Sequence, residues 1–397
     1  MYLLNQQFEQ IRQSPTVAMA DRVNELKAQG HNIIGLQTGD PDFSTHPMIL
    51  DVALRSMTTG LTHYGPSRGF LDLREAAALK LERDNGVSYN PHLEILATHG
   101  GIHAFYIALQ SLVNPGDDVL IPDPTWATHA NMVIMLRGNA IRVPAPAENG
   151  FLPTFDDWER YITPQSKIIV INYPSNPTGA YPSKGYLRDL QKFASTHNLW
   201  VISDEVYENL YYGEHPVCAA AFPGAKERTI LIHSLSKTYA MTGWRVGYLA
   251  APAPVIENAL KASQNSITCV APFVQKAAAF ALSDPVIQQY ASAMRDRYAH
   301  RRDLVLNAAR EIKPQKVIVN PPLGAFYFFL DCRPLNMLSQ EICERVLDEA
   351  GVGLVAGRAF GKYGEGFVRM TIAASDEDVV AGFKKVVDWA ENQKVSE

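Results

Sequence analysis

Short apolar runs alternate with longer amphipathic stretches through the middle of the chain. The runs at 93–97, 118–122, 167–172, 199–203, 229–233 and 245–250 are rich in valine and isoleucine and mostly lack polar residues at every second place. A strand with one wet face would alternate, so these runs predict strands buried on both faces. Between them, Ile102, Phe105, Tyr106, Leu109, Leu112 and Val113 recur at i, i+3, i+4 and i+7, the spacing of one helix face. Strand and helix in alternation predict an α/β domain built on a mainly parallel sheet.

The two ends of the chain read differently. Residues 8–30 have a helical pattern and 32–37 a strand pattern. After Asp284 the pattern predicts a long helix, a turn at Asn320-Pro321-Pro322, a strand over 325–330, a helix over 339–350, a strand over 366–372 and a last helix beginning near Asp376. These pieces suit a smaller α+β unit completed by the N-terminal segment. The expected division is a large domain over 47–284 and a small one made of 1–46 and 285–397.

Composition narrows the class. The chain has 397 residues, 47% hydrophobic and 19% charged, enough apolar side chains for a large core. A net charge of −5 makes neither nucleic acid nor an anionic membrane an expected partner. The basic clusters Arg295-Asp296-Arg297 and Arg301-Arg302 lie among helix-spaced apolar residues and read as a solvated helix face. The first residues lack the basic and apolar regions of a signal peptide, and no run approaches the ~20 apolar residues of a membrane span. Cys218, Cys269, Cys332 and Cys343 are scattered, with neither metal-ligand nor disulfide-framework spacing, which fits a reducing cytoplasm and no metal site.

The most informative segment runs from Ser234 to Gly247. A lysine, Lys237, follows an apolar run ending at His233, and Arg245 follows eight residues later. A lysine amine held partly neutral can attack a carbonyl, and an arginine with hydroxyls can bind a phosphate dianion. Ser234-x-x-Lys237 also matches the S-x-x-K of penicillin-binding proteins, but Ser203-Asp204-Glu205 and Lys237-Thr238-Tyr239 are not the partner motifs that class requires. Three further motifs close predicted strands: Thr98-His99-Gly100-Gly101, Asn176-Pro177-Thr178-Gly179 and Asp204-Glu205-Val206-Tyr207. Carboxyl ends of strands are where open α/β sheets bind ligands. Paired glycines before a helix let backbone N–H groups reach a phosphate, and a buried carboxylate can keep a pyridine nitrogen protonated. Each motif alone has an ordinary structural reading as a turn or a cap. Their joint order is what singles them out.

With these segments together, the chain resembles the fold-type I pyridoxal-phosphate aminotransferases of class I/II, in the branch that includes bacterial aspartate aminotransferases. The resemblance runs from about Ser14 to the C-terminal helix and is most specific in Ser-Lys-Thr-Tyr-Ala-Met-Thr-Gly-Trp-Arg-x-Gly and Ser-Asn-Pro-Thr-Gly. It implies a mainly parallel seven-stranded sheet in a large domain, a smaller α+β domain, and pyridoxal 5'-phosphate as cofactor. It implies that Lys237 carries the cofactor and moves the substrate proton, that Asp204 pairs with the pyridine nitrogen, and that Tyr207 and Asn176 bond the ring hydroxyl oxygen. Gly100, Gly101, Ile102, Ser234 and Arg245 would hold the phosphate. Trp126 would stack on the ring, with His129 behind Asp204. Arg369 would clamp the substrate α-carboxylate, aided by the Gly39 backbone, and Trp126 and Asn176 would also face the substrate. Tyr64 would reach the phosphate of a neighbouring subunit, which implies a homodimer with shared sites.

Ile102 departs from the pattern. Some aspartate-specific relatives carry a basic residue at that place, just after the glycines, so the expected ground for a dicarboxylic preference is missing. Arg68 is a candidate substitute. The implied reaction is ping-pong exchange of an amino group between an L-amino acid and a 2-oxo acid. Elimination, racemisation or oxidative deamination from the same site is the alternative. A cofactor-sensing regulator of this fold would need a DNA-binding domain, for which this chain shows neither length nor basic patch.

Overall fold

The computed structural model describes residues 5–11 and 15–394, and in it the apolar runs pair into one sheet. Strands are numbered along the chain, beginning with the two-residue β1 (Ile34–Gly35). The large sheet contains β2 (Ile95–Thr98), β3 (Asp118–Asp123), β4 (Asn139–Pro144), β5 (Ser166–Asn172), β6 (Trp200–Asp204), β7 (Thr229–Ser234) and β8 (Gly247–Ala250). Their order is β2-β8-β7-β6-β5-β3-β4. Only β8 runs against its neighbours, so the other strands of this sheet all point the same way.

Successive residues of these strands point to opposite faces, and both faces are covered. On one side Leu96, Ile230, Ile232 and Leu249 meet Ala104 and Ala108 of the helix Gly100–Leu112 and Ile256 of Ala253–Ser266. On the other, Ile95, Ala97, Leu231 and Tyr248 meet Leu73 and Ala77 of Leu71–Asn85 and Ala278 of Pro272–Ser283. The edge strand β4 was not anticipated. It reads Asn-Ala-Ile-Arg-Val-Pro and is only partly buried, so it lacks the continuous apolar run that marks the central strands.

A second core lies around β9 (Tyr327–Asp331), β10 (Val352–Gly353), β11 (Val355–Ala356) and β12 (Phe367–Thr371). β11, β12 and β9 form an antiparallel sheet, while β1 pairs parallel with β10. Phe328, Leu330, Val368 and Met370 pack there with Val379, Phe383 and Val387 of the helix Asp376–Glu391. The 28-residue helix Pro285–Ile312 begins on the first core through Ile287 and Met294 and ends on the second through Val305 and Ala308.

Some elements differ from expectation. Among the described residues the N-terminal helical pattern holds a 3₁₀ turn, Gln6–Gln10, followed by extended Ile11, and a helix over Pro15–Ala28. The expected strand over 32–37 shortens to β1 because its partner β10 is itself two residues long. The helix over 339–350 loosens after Arg345 into a π turn, Val346–Ala350. Arg301 corrects the reading of a solvated helix face. It is buried, bonds Asp42 through both terminal nitrogens at 2.8 and 2.7 Å, and reaches Asp376 at 3.0 Å. Among the described residues, no helix is long and apolar enough to cross a membrane.

Candidate active site

The sheet direction collects the motifs. β2, β5, β6 and β7 end at one edge, and antiparallel β8 begins there. Gly101 after β2, Asn176 after β5, Asp204 ending β6, Ser234 ending β7 and Arg245 before β8 therefore line one cavity of about 420 Å³. Ile102, Trp126, Tyr207, Lys237, Gly39 and Arg369 line it too.

One end of the cavity is built for an anion. Gly100 opens the helix Gly100–Leu112 with φ +75, and a Cβ there would stand 2.8 Å from an Arg245 terminal nitrogen. A Cβ on Gly101 would stand 3.0 Å from Val206. Only glycine lets the helix start approach this closely, leaving its N–H groups and Arg245 on one spot. Arg245 adopts a left-handed backbone (φ 53) and is steadied by a 2.8 Å bond from its guanidinium to the Thr242 carbonyl. Ser234 stands beside it, capping the short helix Leu235–Thr238.

The floor holds a buried acid. Asp204 Oδ2 lies 3.0 Å from His129 Nε2, and neither residue is exposed. The other His129 nitrogen, Nδ1, is buried without a protein partner. Trp126, the residue before the helix Ala127–Met135, meets the His129 ring edge to face at 5.2 Å. Asn172, at the end of β5, ties the neighbouring motifs together. Its amide donates to the Asp204 carbonyl at 3.2 Å, and its Oδ1 accepts from the Asn176 backbone at 3.1 Å.

Opposite stands Lys237, whose amine donates to the Gly39 carbonyl at 2.6 Å. Burial lowers its pKa from 10.5 to about 8; Asp40 opposes the shift, and Arg369 and Arg245 add to it. Arg369 is fully enclosed, 4.4 Å over the Tyr327 ring, donating to Asn176 Oδ1 at 2.8 Å and to the Gln37 carbonyl at 2.6 Å. Its Nε has no partner. Tyr207 and Tyr327 share a hydroxyl hydrogen bond at 2.9 Å.

Eight lining residues were missed from the sequence: Thr16, Val17, Thr128, Asn172, Val206, Ser236, Thr242 and Tyr327. Tyr327 sits inside an apolar run, where its hydroxyl gave no sign of facing a cavity, and Thr16 and Val17 look like ordinary first-turn residues. Two further candidates, one of them expected at a neighbouring subunit's site, lie outside this subunit's cavity. Tyr64 is 87% exposed and lies outside this cavity. Arg68, the candidate substitute for a base at position 102, lies outside this subunit's cavity, where it pairs with Glu257 and reaches the Leu93 carbonyl at 3.3 Å.

The family of aminotransferase class I and II matches residues 31–384. The chain belongs to this family. It is 39% identical to an aspartate aminotransferase of Pyrococcus abyssi over 91% of this chain and 95% of that protein. It is 40% identical to aromatic-amino-acid aminotransferase 2 of Thermococcus litoralis over 88% and 90%. The solved aspartate aminotransferase from Thermus thermophilus with maleate superposes with a TM-score of 0.92 at 33% identity, covering 98% of this chain and 100% of that one. The protein is an aminotransferase dependent on pyridoxal 5'-phosphate, acting on an amino acid and a 2-oxo acid. Elimination, racemisation and deamination are not favoured.

The aminotransferase's own residues fit that cofactor. The anion seat matches a phosphate, the enclosed Asp204 suits a protonated ring nitrogen, and an amine of lowered pKa suits a carbonyl. Arg369 lines the same cavity and offers a guanidinium of the kind that binds a carboxylate.

Proposed function

We propose that the aminotransferase works through Lys237 and Arg369 on either side of a cofactor seated on Asp204 and Arg245. The observation that carries this is the Lys237 amine, its pKa lowered to about 8, in one cavity with Arg369, Asp204 and Arg245. Bound pyridoxal phosphate supplies the carbonyl that takes the amino group and the ring that accepts the electron pair released at the α-carbon. Gly100, Gly101, the backbone of Ile102, Ser234 and Arg245 hold the phosphate. Asp204 keeps a proton on the ring nitrogen, with His129 fixing the orientation of the carboxylate. Tyr207 and Asn176 bond the ring oxygen, and Trp126 covers the ring face. Arg369 holds the substrate carboxylate, with the Gly39 backbone beside it, and so points the α-hydrogen at Lys237. The neutral amine then takes that proton and returns it to the other end of the transfer. Borohydride reduction of the yellow, cofactor-loaded protein followed by peptide mass spectrometry should locate the cofactor on Lys237; a label on another lysine would refute the assignment.

The same reading extends to assembly and place. A homodimer would bring Tyr64 of one subunit to the phosphate seat of the other. Leu50, Leu54 and Met57, spaced on one face of the helix Pro47–Thr58 and all exposed, supply an apolar strip suited to self-association. Sedimentation of the holoenzyme at micromolar concentration tests this, with a monomer as the refuting result. The scattered free cysteines accord with a reducing cytoplasm. The large domain is assigned to 47–284 and the small one to 1–46 with 285–397.

A further inference from the structure

Arg369 holds the substrate carboxylate on the reading proposed above, and this inference rests on that reading. Its guanidinium donates to Asn176 and Gln37, and two aromatic rings stand against it. The Tyr327 ring centre lies 4.4 Å from the guanidinium carbon and the Phe360 ring centre 5.1 Å. Tyr327 is fixed by the antiparallel sheet, where it pairs with Thr371, two residues beyond Arg369. Phe360 belongs to no strand. It ends the 3₁₀ turn Gly357–Phe360 in the connection between β11 and β12. Its ring meets Phe329 edge to face at 6.2 Å, but its backbone is held from the large sheet.

The Phe360 carbonyl accepts from the Thr125 backbone N–H at 3.0 Å and from the Arg142 guanidinium. The next residue, Gly361, has φ +144, and a Cβ there would collide with the Asp123 carboxylate. Glycine lets the following turn, Lys362–Gly364, sit directly on that carboxylate, which accepts from the Lys362 and Tyr363 backbone N–H groups at 3.1 Å each. Arg142 Nε bonds the same carboxylate at 3.2 Å. Asp123 closes β3, and Arg142 lies on the edge strand β4. Asp123 is 3% exposed and Phe360 2%, so both are enclosed within one subunit and their contacts do not depend on a partner. Hydrogen bonds to an enclosed carboxylate are short-ranged, directional and strong. Asp123, Arg142 and Phe360 do not themselves line the cavity.

We propose that Asp123 is a positioning residue for Arg369, acting through the backbone of residues 360–363 and the ring of Phe360. The carboxylate sets where the turn sits, the turn sets the ring, and the ring restricts the plane of the guanidinium. A two-point grip on a carboxylate needs that plane, because misplacing a binding group by about 1 Å can cost roughly 100-fold.

The test uses the full-length holoenzyme. Asp123→Asn turns one accepting oxygen into a donor that faces other donors, at nearly constant volume. It should weaken binding of an unreactive carboxylate, the tighter-bound of succinate and 3-phenylpropionate, by about fivefold or more in titration calorimetry. Retention of pyridoxal phosphate, read by absorbance after dialysis, should change by less than about twofold. A residue that only stabilised the fold would lower the urea midpoint and leave acid binding by the folded holoenzyme unchanged. Phe360→Leu should weaken the acid by itself, and adding Asp123→Asn to it should then cost less than about twofold more. An equal cost of Asp123→Asn in both backgrounds, or no weakening in the single variant, would overturn the inference. Arg369→Lys tests the underlying reading separately. If it weakens the acid while Asp123→Asn does not, the positioning role alone falls. If it leaves the acid unchanged, the role of Arg369 falls and the positioning role with it.

Discussion

Asp204 and Glu205 are chain neighbours at the end of β6, yet they belong to two polar clusters of opposite character. Asp204 faces the cavity with His129. Glu205 faces away, accepting from Ser203 at 2.9 Å and from the Ala219 backbone at 3.1 Å. Near it Glu208 is bonded by Lys80, by Asn85 at 2.7 Å and by His233 at 3.0 Å. Burial alone would raise the pKa of Glu208, but His233 and Lys80 hold it well below the usual carboxylate range. Glu205, Glu208 and His233 stand close enough to share a cation, and the Lys80 ammonium already supplies one. Apart from His233 Nε2, 3.8 Å from Glu205, this second cluster is closed upon itself. The cavity cluster instead borders open space, with Asp204, Lys237 and Arg369 all lining it. Equal burial therefore marks two different settings, and what separates them is that one cluster lines the cavity and the other does not.

Substitutions should pull this contrast apart. Lys237→Ala should slow the half-reaction by about 10⁴-fold or more, since it removes both the covalent anchor and the proton carrier; urea unfolding should barely change. Lys80→Met should do the reverse. Stripping one partner from an enclosed charge cluster costs about 3–5 kcal/mol of stability, visible in urea titration, while kcat/KM of the folded fraction stays near wild type. A large activity loss with unaltered stability would place Lys80 in the catalytic cluster after all. Arg369→Ala should lower kcat/KM by about 3 kcal/mol in transition-state terms with the cofactor retained. Loss of the cofactor would show that this arginine serves the wrong ligand. Tyr64→Phe should weaken cofactor retention by about tenfold, the worth of one charge-assisted hydrogen bond, and leave the assembly unchanged by sedimentation.

The smallest effect concerns pH. The amine of Lys237 in the cofactor-free protein is lowered to about 8, so the reactive neutral form grows as pH rises through 8. Capture of pyridoxal phosphate should climb between pH 7 and 8 and level off near pH 9, as rapid-mixing absorbance would show. An ordinary lysine would keep climbing past pH 10, and that result would remove the electrostatic basis for the role of Lys237.

Much of this was legible because of where the information sits in the chain. Strands covered on both faces leave apolar runs that need no tertiary knowledge, while β4, at an edge and partly wet, leaves none. The motifs at the ends of β2, β5, β6 and β7 are contiguous in sequence because each strand delivers its own loop to the same rim. Arg301 was misread because a helical pattern shows a polar position but not the Asp42 that comes to meet it from far along the chain. Tyr327, Thr16 and Val17 were missed for the same reason. Their place at the cavity depends on packing between distant segments, and nothing local distinguishes them from core or surface residues.

Gly39 and Tyr327 give the chain a constraint on its own history. A methyl group on residue 39 would collide with the Tyr327 hydroxyl, and with that oxygen gone the nearest atom of the ring would stand 3.1 Å away. Position 39 is thus closed to any side chain while tyrosine occupies 327, and partly open once phenylalanine replaces it. Two changes that are tolerable together become accessible in one order only, Tyr327→Phe before Gly39→Ala. A mutational library built one position at a time would record residue 39 as invariant, when the restriction belongs to the pair.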